Sequence, residues 1–171
     1  MFFCLYVEGV MSNLTKMKKN DNYATPKQAW LDLKPFIPTD KTIYLPFYYN
    51  GKAKEYIEEL DVKEVIHKEV DYFENRFEYD CIIDNPPFSI KKQVLTKLKE
   101  DDTPFMLLMP TSVACTQYFR KLFKDERIQL IIPKSRIHFE SDTEDLKNGC
   151  CFDCFWYCWK MDLPMDVNFI Q

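Results

Sequence analysis

EYDCIIDNPPFSIKKQVLTKLKE, residues 78–100, holds the decision about the fold. A short apolar run, EYDCIID, ends in Asp84-Asn85. Two prolines follow, then Phe88, and a lysine-rich segment resumes with Ile90, Val94, Leu95 and Leu98 at helical spacing. Adjacent prolines lock two backbone angles and remove two N–H donors, so the strand stops rigidly. The pattern is strand, fixed turn, amphipathic helix.

The same alternation runs outward in both directions. Upstream, YATPKQAWLDLKPFIP (23–38) places a turn at Thr25-Pro26 and a helix over 27–34, with Thr25 as N-cap and Pro26 at its first position. KTIYLPF (41–47) reads as a strand, KAKEYIEEL (52–60) as a helix and VKEVIH (62–67) as a second strand. Downstream, TPFMLLMP (103–110) is a buried strand, SVACTQYFRKLFKD (112–125) a helix and RIQLIIP (127–133) a strand. A polar loop, 134–149, precedes a long aromatic strand over 150–161, and the tail DLPMDVNFIQ reads as irregular. Strands alternating with helices predict one α/β domain over residues 21–171 with a mostly parallel sheet, and residues 1–20 as a peripheral segment. In such sheets ligands bind beyond the carboxyl ends of the strands. The segments Pro46 to Gly51, His67 to Asp71, Asp84 to Phe88 and Met109 to Thr111 should therefore approach one another.

Composition narrows the function classes. The chain has 171 residues, 46% hydrophobic and 29% charged, which is globular in character. No apolar run reaches the roughly 20 residues that span a bilayer, and the apolar start MFFCLYVEGVM lacks a basic lead and carries Glu8, unlike a signal peptide. These features predict an intracellular, cytoplasmic protein without a membrane. The net charge of −4 argues against tight, sequence-blind binding to duplex DNA. Local basic clusters remain, at Lys16/Lys18/Lys19, Lys91/Lys92/Lys97/Lys99, Arg120/Lys121/Lys124 and Lys134/Arg136. Each one alone is more often a solvated helix face than a binding patch. Four of seven cysteines sit in GCCFDCFWYC (149–158). On a strand Cys154 and Cys158 would share a face about 13 Å apart, too far for one zinc. They read as small buried hydrophobes, and no metal is expected.

Asn85 carries the chemistry. Held rigidly at a strand end, its side-chain oxygen accepts a hydrogen bond. Pro86 has a carbonyl and no N–H. Two acceptors converging on one NH₂ group let its delocalised lone pair localise toward an electrophile, and Phe88 offers a face on which a flat base can stack. Positioning and electrostatics then carry most of the rate. The plainer alternative is a simple Pro-Pro turn.

D-NPPF-S after a strand resembles the catalytic motif of the S-adenosylmethionine-dependent amino-methyltransferases, [DNS]-PP-[YFW]. YATPKQAW resembles the motif of those enzymes that contacts the methionine end of the cofactor, and IYLPFYYNG lies where their D-P-F-x-G-x-G loop belongs. The order of PFYYNG, VIHKEVDYF, DNPPFSIKK, MPTS, QYF and RIHF resembles small adenine-methyltransferase-like proteins of large DNA viruses and phages, over residues 23 to about 165. A viral member would act in the host cytoplasm.

The resemblance implies a Rossmann-like class I methyltransferase domain of seven strands whose long C-terminal strand is antiparallel, in a hairpin with its predecessor. It implies S-adenosylmethionine as cofactor and the N6 amine of adenine in nucleic acid as target, DNA ahead of RNA. Asn85, Pro86, Pro87 and Phe88 form the catalytic motif. Thr25, Pro26, Pro46, Phe47 and Gly51 line the cofactor, with Asp71 (Glu69 as rival) on its ribose or adenine. Phe88 stacks on the base, Phe139 in RIHFE clamps its other face, and Lys91 and Lys92 lie beside the nucleic acid. The chain departs from the pattern at Leu45, where the family has an acid, and at Tyr49, where it has a glycine; the only glycines are Gly9, Gly51 and Gly149. About 80 residues follow Phe88 and the sheet needs them, which leaves no target-recognition domain. Loose specificity, a single-stranded or RNA substrate, or a protein partner supplying recognition follows. Two alternatives stand beside this one: a protein glutamine methyltransferase, whose target is also a planar NH₂, and an inactive methyltransferase-fold subunit.

Overall fold

The computed structural model describes residues 23–74, 76–140 and 152–171. The peripheral segment 1–20, most of the polar loop before the aromatic strand, and Cys150 and Cys151 lie outside the described residues. In chain order the elements are α1 (Lys27–Leu31), β1 (Thr42–Tyr44), α2 (Lys52–Glu58), β2 (Glu64–Ile66), β3 (Cys81–Asp84), α3 (Lys91–Glu100), β4 (Phe105–Pro110), a 3₁₀ turn (Thr111–Cys115), α4 (Gln117–Phe123), β5 (Ile128–Ile132), β6 (Cys154–Trp159) and β7 (Val167–Phe169).

The strands form one α/β sheet of seven, in the order β2-β1-β3-β4-β6-β5-β7. β1 pairs in parallel with β2 and β3, β3 with β4, and β5 with β7. Only β6 runs the other way, between β4 and β5 and antiparallel to both. The expected antiparallel partner of β5 is thus the aromatic strand, and it also joins the two parallel halves of the sheet.

Period-two alternation explains how two cores form on one sheet. In β4, Met106 and Leu108 point into one hydrophobic layer, and Phe105, Leu107 and Met109 into the other. β6 alternates likewise, with Cys154, Trp156 and Cys158 opposite Tyr157 and Trp159. Trp30 of α1 and Ile57 of α2 cover the first layer. Val94, Leu95 and Leu98 of α3 and Phe119 and Phe123 of α4 cover the second. Cys154 and Cys158 are buried core residues. Among the described residues no group of three or more His, Cys, Asp or Glu could hold a metal ion, and no helix is long and apolar enough to cross a membrane.

Three local expectations change. The N-cap of α1 is Pro26, not Thr25, because the Thr25 hydroxyl is engaged by Asn85 instead. The predicted helix over 112–125 breaks at Thr116, which is extended and accepts the Phe119 N–H on its Oγ1, so a 3₁₀ turn precedes α4. The tail holds β7: buried Asn168 donates to the carbonyls of Leu130 and Met165, which locks a three-residue strand that has no hydrophobic alternation to announce it.

Candidate functional site

The carboxyl ends of β1, β2 and β3 meet at one cleft, lined by Phe47, Gly51, His67, Asp84 and Asn85 together with Thr25 from the segment before α1. The end of β4 does not reach it. Asp84, the last residue of β3, ties two of these ends together. It is 2% exposed, and its carboxylate accepts the Phe47 N–H at 2.8 Å and the Asn85 N–H at 2.7 Å. Desolvation pushes its pKa up to about 7, against the pull of those two N–H bonds.

Asn85 follows with its side chain oriented by an unambiguous partner. Its Nδ2 donates to the Tyr23 carbonyl at 3.3 Å and to Thr25 Oγ1 at 3.0 Å. A backbone carbonyl only accepts, so the NH₂ side of the amide must face Tyr23. That places Asn85 Oδ1 on the other side, buried and without a hydrogen-bond partner among the described residues. A buried acceptor left unpaired costs about 1–3 kcal/mol and calls for an explanation.

Pro86 is buried behind the amide. The Pro87 carbonyl accepts the Ile90 N–H at 3.1 Å, which turns the chain into α3. Lys91 folds back and donates to the Phe88 carbonyl at 2.7 Å, whereas Lys92 is exposed. Lys97 pairs with Asp101, Lys99 with Glu126, and Arg136 with Asp153, so these cations of the basic clusters are engaged within the fold.

An aromatic group surrounds Phe88. Tyr23 lies nearly parallel to it, centroids 5.9 Å apart at 26°. Phe139 and Phe152 meet Phe88 edge-on, at 6.1 Å and 86° and at 5.2 Å and 74°. Phe139, expected to clamp the second face of a flat ligand, belongs to this group, and the ring parallel to Phe88 is that of Tyr23. Tyr23 and Phe152 are additions that sequence reasoning missed, although Tyr23 opens the YATPKQAW stretch. Ala24 and Glu140 pair through two reciprocal backbone bonds of 2.9 Å, which straps the chain before α1 to the segment carrying Phe139.

The loop after β1 makes the other half of the cleft. Leu45 and Pro46 are buried, so position 45 presents no polar group. Gly51 sits at φ +79° as the N-cap of α2, and a Cβ there would lie 2.8 Å from Tyr48 Oη. Left-handed backbone and close approach both require glycine at this position. Tyr48 is 41% exposed and its ring lies 4.7 Å from that of His67. His67 Nδ1 is 2.7 Å from the Leu45 carbonyl, which assigns the proton to Nδ1 and leaves Nε2 as an acceptor. That Nε2 is buried and, like Asn85 Oδ1, has no partner among the described residues. Burial holds the His67 pKa below its ordinary value, and the charge of Lys54 adds to the effect. Asp71 stands outside the cleft lining and accepts the Phe73 N–H at 2.8 Å, in a local turn. Glu69 is exposed and also outside it.

The cleft is narrow, about 40 Å³, room for a few water molecules. A nucleoside-sized ligand needs it to widen, and Tyr48 is the exposed side chain that covers both Gly51 and His67. No protein-family model and no curated protein matches the chain.

Proposed function

We propose that the chain is an S-adenosylmethionine-dependent N-methyltransferase whose target is the N6 amine of adenine in nucleic acid, DNA ahead of RNA. The observation that carries this reading is the orientation of Asn85: a buried acceptor oxygen with no partner among the described residues, on an amide fixed by the carbonyl of Tyr23, whose ring lies against Phe88. The mixed sheet with one antiparallel long strand next to β5 supports the class I methyltransferase architecture.

In this mechanism Asn85 Oδ1 accepts one N–H of the planar amine and the Pro86 carbonyl accepts the other. Both bonds strengthen as the nitrogen becomes tetrahedral and positive, so they act mainly in the transition state. The surplus proton leaves to solvent after transfer, with no strong base needed. Phe88, with Tyr23 alongside, holds the ring and excludes water from one face. Asp84 fixes Asn85 relative to the loop after β1 through its two N–H bonds.

S-adenosylmethionine, when bound, supplies an electrophilic methyl group on a sulfonium. Thr25, Phe47 and Gly51, which line the cleft, would hold it, with the expected Pro26 and Pro46 flanking them outside the lining, and a ligand would reach Gly51 once the Tyr48 ring against it moves away. Leu45 contributes no charge. A single-stranded target, or a protein partner that supplies specificity, suits the chain, since flipping a base out of a duplex costs a few kcal/mol.

The test is transfer of labelled methyl from the cofactor to a single-stranded oligonucleotide with one adenine, followed by nucleoside digestion. Label on N6-methyladenosine or its deoxy form supports the proposal. Label confined to glutamine of an added protein overturns the nucleic-acid assignment, and no label on either overturns the enzyme assignment.

A further inference from the structure

Two buried acceptors without partners among the described residues line the same cleft, and only one of them, Asn85 Oδ1, is used by the amine-methylating chemistry. The other is His67 Nε2. Its tautomer is set by a backbone carbonyl, just as the Asn85 amide is. His67 immediately follows β2 and lines the cleft with Gly51, its ring 4.7 Å from that of Tyr48. The acids after β2, Glu69 and Asp71, lie outside that lining.

We propose that His67 Nε2 is the ribose-binding acceptor of this chain, taking a hydrogen bond from a hydroxyl of the cofactor's nucleoside where an acid was expected. The inference rests on the methyltransferase reading and names the residue that completes its cofactor half. A neutral imidazole accepts one hydrogen bond and offers no negative charge. Lys54 lies close enough to act on it electrostatically, which disfavours a cationic donor and favours a hydroxyl. The Tyr48 ring lies tilted against the imidazole at 34°, so ligand entry requires that ring to swing out, and its exposure leaves it free to do so.

The full chain has two histidines, His67 and His138. A His138→Gln background therefore leaves one imidazole to follow by ¹⁵N NMR, with S-adenosylhomocysteine as the probe. The expected result is a shift of the Nε2 resonance on binding. Calorimetry should show S-adenosylhomocysteine binding about tenfold weaker to His67→Ala, with partial recovery in His67→Gln, whose amide oxygen can accept. An analogue lacking both ribose hydroxyls should bind the wild type and His67→Ala equally, a result that a merely structural His67 would not produce. If His67→Ala does not fold, the NMR shift and the hydroxyl-deletion comparison on the wild type decide. Ligand binding with an unmoved Nε2 resonance, or an equal His67→Ala penalty for both ligands, overturns the role of His67 and leaves the methyltransferase reading standing. No binding of S-adenosylmethionine or S-adenosylhomocysteine to the wild type overturns both.

Discussion

Asp84 makes stability depend on pH in a direction opposite to the usual carboxylate. Its native pKa is raised from 3.8 to about 7, because desolvation outweighs the two N–H bonds from Phe47 and Asn85. The folded protein therefore keeps a proton that the unfolded chain has released above its own carboxyl pKa. Between those two values the native state binds more protons, so stability falls as pH rises and levels off above pH 7. At about 1.4 kcal/mol per pH unit, a slope that halves by pH 7, the loss between pH 5 and pH 7 through this group is roughly 2 kcal/mol. Asp84→Asn removes the titration. It also sets an NH₂ against one of the two backbone donors, a cost of about 1–3 kcal/mol that does not vary with pH. Urea unfolding of both proteins at pH 5, 6, 7 and 8 isolates the effect, since other titrating groups cancel in the difference. The advantage of the wild type over Asp84→Asn should shrink by roughly 3 kcal/mol from pH 5 to pH 8. A constant difference, or one that grows with pH, would refute the raised pKa and mean that the N–H bonds hold the carboxylate charged.

Other substitutions test the remaining contacts. Thr25→Val removes the hydroxyl that accepts from Asn85 Nδ2 and leaves that amide with only the longer bond to the Tyr23 carbonyl. Methyl transfer should fall about tenfold, with about 1 kcal/mol lost from urea stability. Phe88→Leu keeps an apolar side chain but no stacking face. It should raise KM for an oligonucleotide by about tenfold, within the ~1–3 kcal/mol of base–aromatic stacking, with cofactor affinity unchanged by calorimetry. Gly51→Ala strains a left-handed backbone and should cost about 1–2 kcal/mol in urea unfolding. Adding Tyr48→Ala relieves only the 2.8 Å contact, so most of that loss should persist.

What could be read from the chain was what local chemistry determines. The strand-turn-helix at CIIDNPPFSIKK and most of the order of elements follow from periodicity and proline placement, whereas the antiparallel run of the aromatic strand was an implication of the family resemblance. Contacts between distant segments were not legible. Asp84 looks like one more acid at a strand end until the fold brings the Phe47 N–H, 37 residues earlier, onto it. His67 looks like a surface histidine until the Leu45 carbonyl, on the neighbouring strand's exit, accepts a hydrogen bond from its Nδ1–H. The place of Tyr23 against Phe88 was not legible for the same reason, since the Ala24–Glu140 strap joins segments far apart in the chain. β7 was missed because a buried asparagine, not an apolar pattern, holds it.

The central claim is that Asn85 Oδ1 holds a target amine. It is tested most directly by measuring labelled methyl transfer to an adenine-containing oligonucleotide with wild type and Asn85→Ala, alongside cofactor binding by calorimetry on the same preparations. The account predicts transfer by the wild type, a loss of about 100-fold or more in Asn85→Ala, comparable to removal of a key transition-state hydrogen bond, and cofactor affinity within about threefold of wild type. Equal rates for the two proteins would contradict it.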